Sequence, residues 1–92
     1  MELMPLGRIP ESGTLARAVS AQVRAALARQ RISVKELAAR AGLTESYLGK
    51  RLRDDAPMTI NDLESVCAAL GEDVQAFFVA ALQAAKDPDA GR

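Results

Sequence analysis

Between Ser33 and Arg53 the chain reads SVKELAARAGLTESYLGKRLR, and these twenty-one residues hold five cations and four hydroxyls. The cations are Lys35, Arg40, Lys50, Arg51 and Arg53; the hydroxyls belong to Ser33, Thr44, Ser46 and Tyr47. Such a set suits charge-assisted hydrogen bonding to oxyanions and to polar edges. Covalent chemistry fits poorly. The sequence contains no His and one Cys, so a Ser or Cys nucleophile has no general base and a metal has no ligand cluster. No Gly-rich phosphate loop is present either. The expectation is a binding protein without enzymatic activity, metal or cofactor.

These side chains need two short helices to present them. Ser33 is a good N-cap, and Glu36 three residues later predicts a capping box. Leu37, Ala38 and Ala41 form one small apolar face. Gly42 stands where a helix end needs a left-handed residue, which Gly adopts without steric cost. Thr44 is suited to cap the second helix. On that helix Leu48 and Leu52 share the buried face, while Ser46, Lys50 and Arg53 cluster opposite, with Tyr47 beside them.

Leu37-Ala38, Gly42-Leu43 and Leu48 sit at the spacing of the lambda-repressor/Cro-type (XRE-like) helix-turn-helix family, which the chain resembles from about residue 15 to about residue 82. One position departs from the family pattern: Arg51 stands where an apolar residue is common, and Leu52 supplies the anchor one place later. The resemblance implies an all-α, compact five-helix lambda-repressor-like DNA-binding domain with its helix-turn-helix at helices 2 and 3. It also implies that the helix over 44–53 enters the major groove of double-stranded DNA, with its N-terminal residues touching base edges.

On that footing the candidate base contacts are Thr44, Glu45, Ser46, Gly49 and Lys50. Lys50 can donate to guanine O6 or N7, and Ser46 can serve either partner. Glu45 either accepts from cytosine N4 or stabilises the helix N-terminus electrostatically. Gly49 either permits close approach to the groove or is a tolerated surface glycine. The candidate phosphate contacts, which set register rather than sequence, are Ser33, Lys35, Tyr47, Arg51 and Arg53. Arg40 is a weaker candidate.

The remaining elements frame this pair. Residues 1–13, with Pro5, Gly7, Pro10 and Gly13, read as a flexible arm, and 14–86 as the domain. From Thr14 to Gln30, Leu15, Val19, Val23, Ala26 and Leu27 trace one apolar stripe, with Arg17, Gln22 and Arg24 on the outer face. Asp54-Asp55-Ala56-Pro57 is a loop whose acids should turn from phosphate or act as caps. Thr59 and Asp62 predict a capping box for a fourth helix, marked by Ile60, Leu63, Val66, Cys67 and Leu70 and closed by Gly71. Asp73 should cap a fifth helix ending before Asp87-Pro88, and 87–92 reads as a frayed tail. On the fifth helix one of Phe77 and Phe78 should close the core. Phe77, Phe78 and Leu82 are then the candidate contacts of a homodimer, the alternative being a monomer with both rings inside.

The 92 residues are 49% hydrophobic, enough for one modest core. Net charge is zero, but it is polarised. From Arg24 to Arg53 eight basic residues stand against two acidic ones; from Asp54 onward eight acidic residues stand against two basic ones. The basic half coincides with the helix-turn-helix, so phosphate can still be drawn to it. No apolar run is long enough for a membrane span, and the start does not read as a secretory signal. Cytoplasmic residence at the nucleoid is the expectation. The functional expectation is a sequence-specific transcriptional regulator, most simply a repressor of the phage immunity/Cro kind or a small bacterial regulator. The alternative is a protein-interaction module such as an antitoxin.

Overall fold

The computed structural model describes residues 11–86; the expected tail and all but the last three residues of the expected arm lie outside them. The described residues form five helices in the order α1 (Thr14–Gln30), α2 (Val34–Ala41), α3 (Glu45–Leu52), α4 (Ile60–Leu70) and α5 (Val74–Lys86). The all-α architecture and the placement of the helix-turn-helix at α2 and α3 agree with the sequence. α1 lies against α5 and touches α3, while α2 packs on both α4 and α3. At the centre Val23, Ala26, Leu37, Leu48, Val66 and Ala81 are completely enclosed.

The short helices owe their ends to local chemistry. Ser33 Oγ accepts from the Glu36 amide at 3.0 Å, Thr44 Oγ1 from the Tyr47 amide at 3.1 Å, and Asp73 Oδ2 from the Ala76 amide at 2.8 Å. Only Thr59 and Asp62 complete the reciprocal capping box. At Ser33 the expected return bond is missing, because the Glu36 carboxylate pairs with Arg40 at 2.7 Å one turn on. At the other end of α2, Gly42 adopts φ 74°, and the next amide, Leu43, reaches back to Ala38 O at 2.9 Å. Arg31 ends α1 in the same left-handed region, φ 55°, without being a glycine.

Gln22 and Arg24, read as solvent-facing, are tertiary donors instead, and Ser20 and Gln30 join them. Gln22 donates to Phe77 O at 2.9 Å and Gln30 to Leu70 O at 2.8 Å. Ser20 donates to Arg51 O at 3.0 Å, and Arg24 donates to Leu52 O. α1 thus carries an apolar stripe for the core and a polar stripe aimed at the backbone carbonyls of α3, α4 and α5. Of the expected arm only residues 11–13 are described, and there Ser12 is buried and its carbonyl accepts from Arg17 Nε at 3.0 Å.

Two further expectations are corrected. Ile60, assigned to the α4 core stripe, is 67% exposed, because it is the first residue of α4 and overhangs the packed turns. Phe77 is buried in the chain's own core, so it is not free for a second subunit; Phe78 is half-buried and Leu82 exposed.

Leu48→Ala should cost about 2–5 kcal/mol in urea unfolding, since the side chain is wholly enclosed and its loss leaves a cavity. Cys67 sits in the α4 core, where burial, and then the negative charges of Glu72 and Asp73, push its thiol from 9.0 up to about 11. The folded chain therefore keeps a proton that the unfolded chain releases first. Stability should be steady below pH 9 and fall as pH rises from about 9 towards 11. Urea midpoints across that range should show the decline, and Cys67→Ala should lack it.

Candidate nucleic-acid interface

α3 is eight residues long, so most of its backbone polar groups at both ends need partners outside the helix. Thr44 supplies one at the N-terminus. Ser20 and Arg24 supply two at the C-terminus. Leu48 and Leu52 anchor the inner face. What remains outward is the polar face that the sequence singled out: Thr44, Glu45, Ser46, Lys50 and Arg53 are all exposed, and Gly49 is half-buried.

That face divides into two flanks. On one, Glu45, Ser46, Gly49 and Arg53 line a shallow depression whose far wall is Val34, the first residue of α2. Ser33, the α2 cap, adjoins this wall, and exposed Lys35 follows it. On the other flank the Arg51 guanidinium lies over the Tyr47 ring, 4.1 Å from its centroid. The Tyr47 hydroxyl donates to Asp62 Oδ2 at 2.7 Å, the same oxygen that accepts the Thr59 amide at 3.1 Å. Lys50 is exposed one turn beyond Ser46, at a helical phase between the two flanks. Of the five phosphate candidates, Ser33, Lys35 and Arg53 thus present free surface, whereas Tyr47 and Arg51 are tied to each other and to the start of α4.

Two readings left open by the sequence gain physical content. A Cβ added at Gly49 would stand 3.1 Å from an Arg53 guanidinium nitrogen. Gly49 therefore clears the shelf along which Arg53 lies. Arg53 Nε also approaches Asp55 Oδ2 at 3.4 Å, but both side chains are about 60% exposed, so this ion pair is worth little and Arg53 can exchange it for another anion. Asp54, the other loop acid, is tucked in. Its backbone is left-handed at φ 65°, and its carboxylate, 12% exposed, lies 3.7 Å from Arg24. One wall of the depression, Val34, was missed. It is the first residue of α2, half-buried against the core one turn before Leu37 and Ala38, and only the juxtaposition of α2 with α3 brings it to the depression.

A capped second helix, held on three sides and turned outward by its polar face, defines a helix-turn-helix DNA-binding protein. A family model described as the Cro/C1-type helix-turn-helix DNA-binding domain matches residues 22–79, from the middle of α1 into α5. The chain belongs to that family. Among solved structures it is similar to the clp gene regulator ClgR from Corynebacterium glutamicum, at 27% identity and a TM-score of 0.70, over 79% of this chain and 95% of that one. A second structure of that regulator gives 28% identity and a TM-score of 0.72, over 84% and 81%. A tyrosine-to-phenylalanine form of the restriction-modification controller protein C.Esp1396I shares the fold at 21% identity and a TM-score of 0.74, over 87% of this chain and all of that one. No curated protein matches the chain. No single helix among the described residues is long and apolar enough to cross a membrane.

Gly49→Ala separates folding from binding. Ala is the better helix former by about 1 kcal/mol, and among the described residues the one close neighbour is the movable end of Arg53. Thermal stability should hold or rise, while affinity for the chain's DNA target falls as Arg53 is displaced. Calorimetry and fluorescence anisotropy on the same preparation check both halves.

Proposed function

We propose that this DNA-binding transcriptional regulator is a sequence-specific repressor that acts by occupying an operator, and that its action is binding without catalysis. The observation that carries the reading is the outer face of α3, where Ser46, Lys50 and Arg53 are exposed and α2 begins alongside. In this reading α3 enters the major groove. Lys50 donates to guanine O6 or N7, Ser46 and Thr44 make the adaptable contacts, and Glu45 accepts from cytosine N4 or serves its own helix N-terminus. The Val34 methyls, facing the same depression, suit a thymine C5-methyl. Ser33, Lys35 and Arg53 grip one phosphate run, and Arg51, braced by Tyr47, meets another. Repression needs only this occupancy, which fits a phage Cro-like protein or a small bacterial regulator working at the nucleoid. Two copies paired through α5 would match a two-fold operator; exposed Val79 and Leu82, with the outer edge of Phe78, support that arrangement.

A second reading rests on the same exposed apolar residues. They lie in the acidic half of the chain, away from the polar face of α3, and suit a protein partner such as the toxin of a toxin–antitoxin pair.

Anisotropy titrations with fragments of the gene's own upstream DNA and with a scrambled duplex, across a range of salt, test the proposal. One fragment should bind tightly with a steep salt slope and a two-protomer footprint. Lys50→Ala with Arg53→Ala should lower that affinity by roughly 100-fold or more, at about 1–3 kcal/mol per contact. Equal, weak binding to every duplex would defeat the operator reading. In vivo regulation that survives the double change but is lost in Phe78→Ala would favour the partner reading.

A further inference from the structure

The loop after α3 carries two acids where local physics disfavours them. A negative charge just past a helix C-terminus opposes the helix dipole, and a left-handed backbone suits Gly better than Asp. Asp54 nevertheless takes φ 65°. Its amide donates to Arg51 O at 3.2 Å and the Asp55 amide to Lys50 O at 3.1 Å. The two acids thus close α3 in the Schellman pattern, which fixes where both side chains start. The Asp54 carboxylate is turned inward towards Arg24. The Asp55 carboxylate stays 60% exposed, and among the described residues its one hydrogen-bond partner is Arg53. A position that breaks a local rule in an otherwise consistent fold is where a functional role is to be sought.

We propose that Asp55 sets selectivity: it stands in for phosphate on Arg53 and so suppresses binding to off-target DNA. This rests on the reading of Arg53 as a phosphate contact. Carboxylate and phosphate oxygens both suit a guanidinium, and Arg53 is already set out for one. Its Nε faces Asp55 Oδ2 at 3.4 Å, and its end lies along the shelf that Gly49 clears, 3.1 Å from where a Cβ would stand. Two modes of DNA binding feel Asp55 differently. An off-target duplex is held by loose attraction between cations and phosphates, in proportion to the number of phosphates neutralised. There Asp55 cancels Arg53, and the loose complex loses one cation in effect. With α3 seated in its target groove, a phosphate meets Arg53 at short range and takes the place of Asp55, whose exposed side chain turns into solvent. Only an exposed ion pair is given up, and such pairs are worth little. Asp55 thus weakens the loose complexes more than the seated one, which is selectivity gained by repulsion.

The test is Asp55→Asn, alone and combined with Arg53→Ala, in anisotropy titrations against a scrambled duplex and against the fragment bound best. At about 0.1 M salt Asp55→Asn should raise affinity for the scrambled duplex by roughly 3- to 10-fold, the effect of one more phosphate neutralised, and steepen its salt slope by about 1. Affinity for the best fragment should rise by less than about twofold. With Arg53→Ala present, the same substitution should leave the scrambled-duplex affinity unchanged. In the free protein the Arg53 Nε–Hε resonance should shift on Asp55→Asn, while Tm holds or rises as an acid leaves the helix C-terminus. A rise in affinity that persists with Arg53→Ala would make Asp55 one negative charge among others and overturn the proposal. An unchanged scrambled-duplex affinity, or an Arg53 resonance indifferent to the change, would overturn it too. So would an equal rise for both duplexes where the wild type prefers one. Should the wild type bind every duplex alike, the operator reading fails, and the scrambled duplex with its Arg53→Ala control alone decides whether Asp55 restrains Arg53.

Discussion

The carbonyl groups at the ends of the short helices are the constraint on which this fold turns. A helix of eight residues, such as α3, can satisfy few of its own terminal groups, and a buried unpaired carbonyl is costly. α1 answers with side chains of matched length: Ser20 and Arg24 for α3, Gln30 for α4, and Gln22 reaching α5. The longest helix therefore serves as a spine in two senses. Its apolar stripe supplies Val19, Val23, Ala26 and Leu27 to the core, and its polar stripe donates to the last carbonyls of α3 and α4 and to one in the first turn of α5.

The consequence for the DNA face is that α3 is oriented from three directions. Thr44 closes its start, the α1 donors hold its finish, and Tyr47 ties its flank to the capping box of α4 through Asp62. The net charge of zero is reconciled with nucleic-acid recognition in the same way. Of the two loop acids that follow α3, Asp54 is folded inward against Arg24, while Asp55 holds Arg53 only through an exposed pair.

What could be read from the sequence was whatever is decided within one or two turns. Ser33, Thr44, Thr59 and Asp73 cap as expected, Gly42 and Gly71 take the left-handed conformation, and Leu48 and Leu52 are buried. The misses arise where a side chain has two possible partners or where the partner is distant. Glu36 chose Arg40 over the backbone of its own cap. Gln22 and Arg24, polar and off the apolar stripe, looked solvated because periodicity cannot see a carbonyl 28 or 55 residues away. Ile60 matched the spacing of its helix but not its depth, and choosing between Phe77 and Phe78 needed the crossing of α1 over α5. In the candidate interface the outward residues were legible from helical phase alone. Their division into two flanks, the shelf that Gly49 leaves for Arg53, and the wall formed by Val34 were not.

The side chains that hold α3 and those proposed to read DNA are different ones. Leu48, Leu52, Tyr47 and the backbone carbonyls carry the attachments, while Thr44 alone both caps the helix and stands on the outward surface. Glu45, Ser46 and Lys50 are exposed. Substitutions at those three positions are therefore nearly silent for folding. On the proposed function, a lineage carrying this scaffold changes its target sequence by drift at a few sites, without ever passing through an unfolded ancestor.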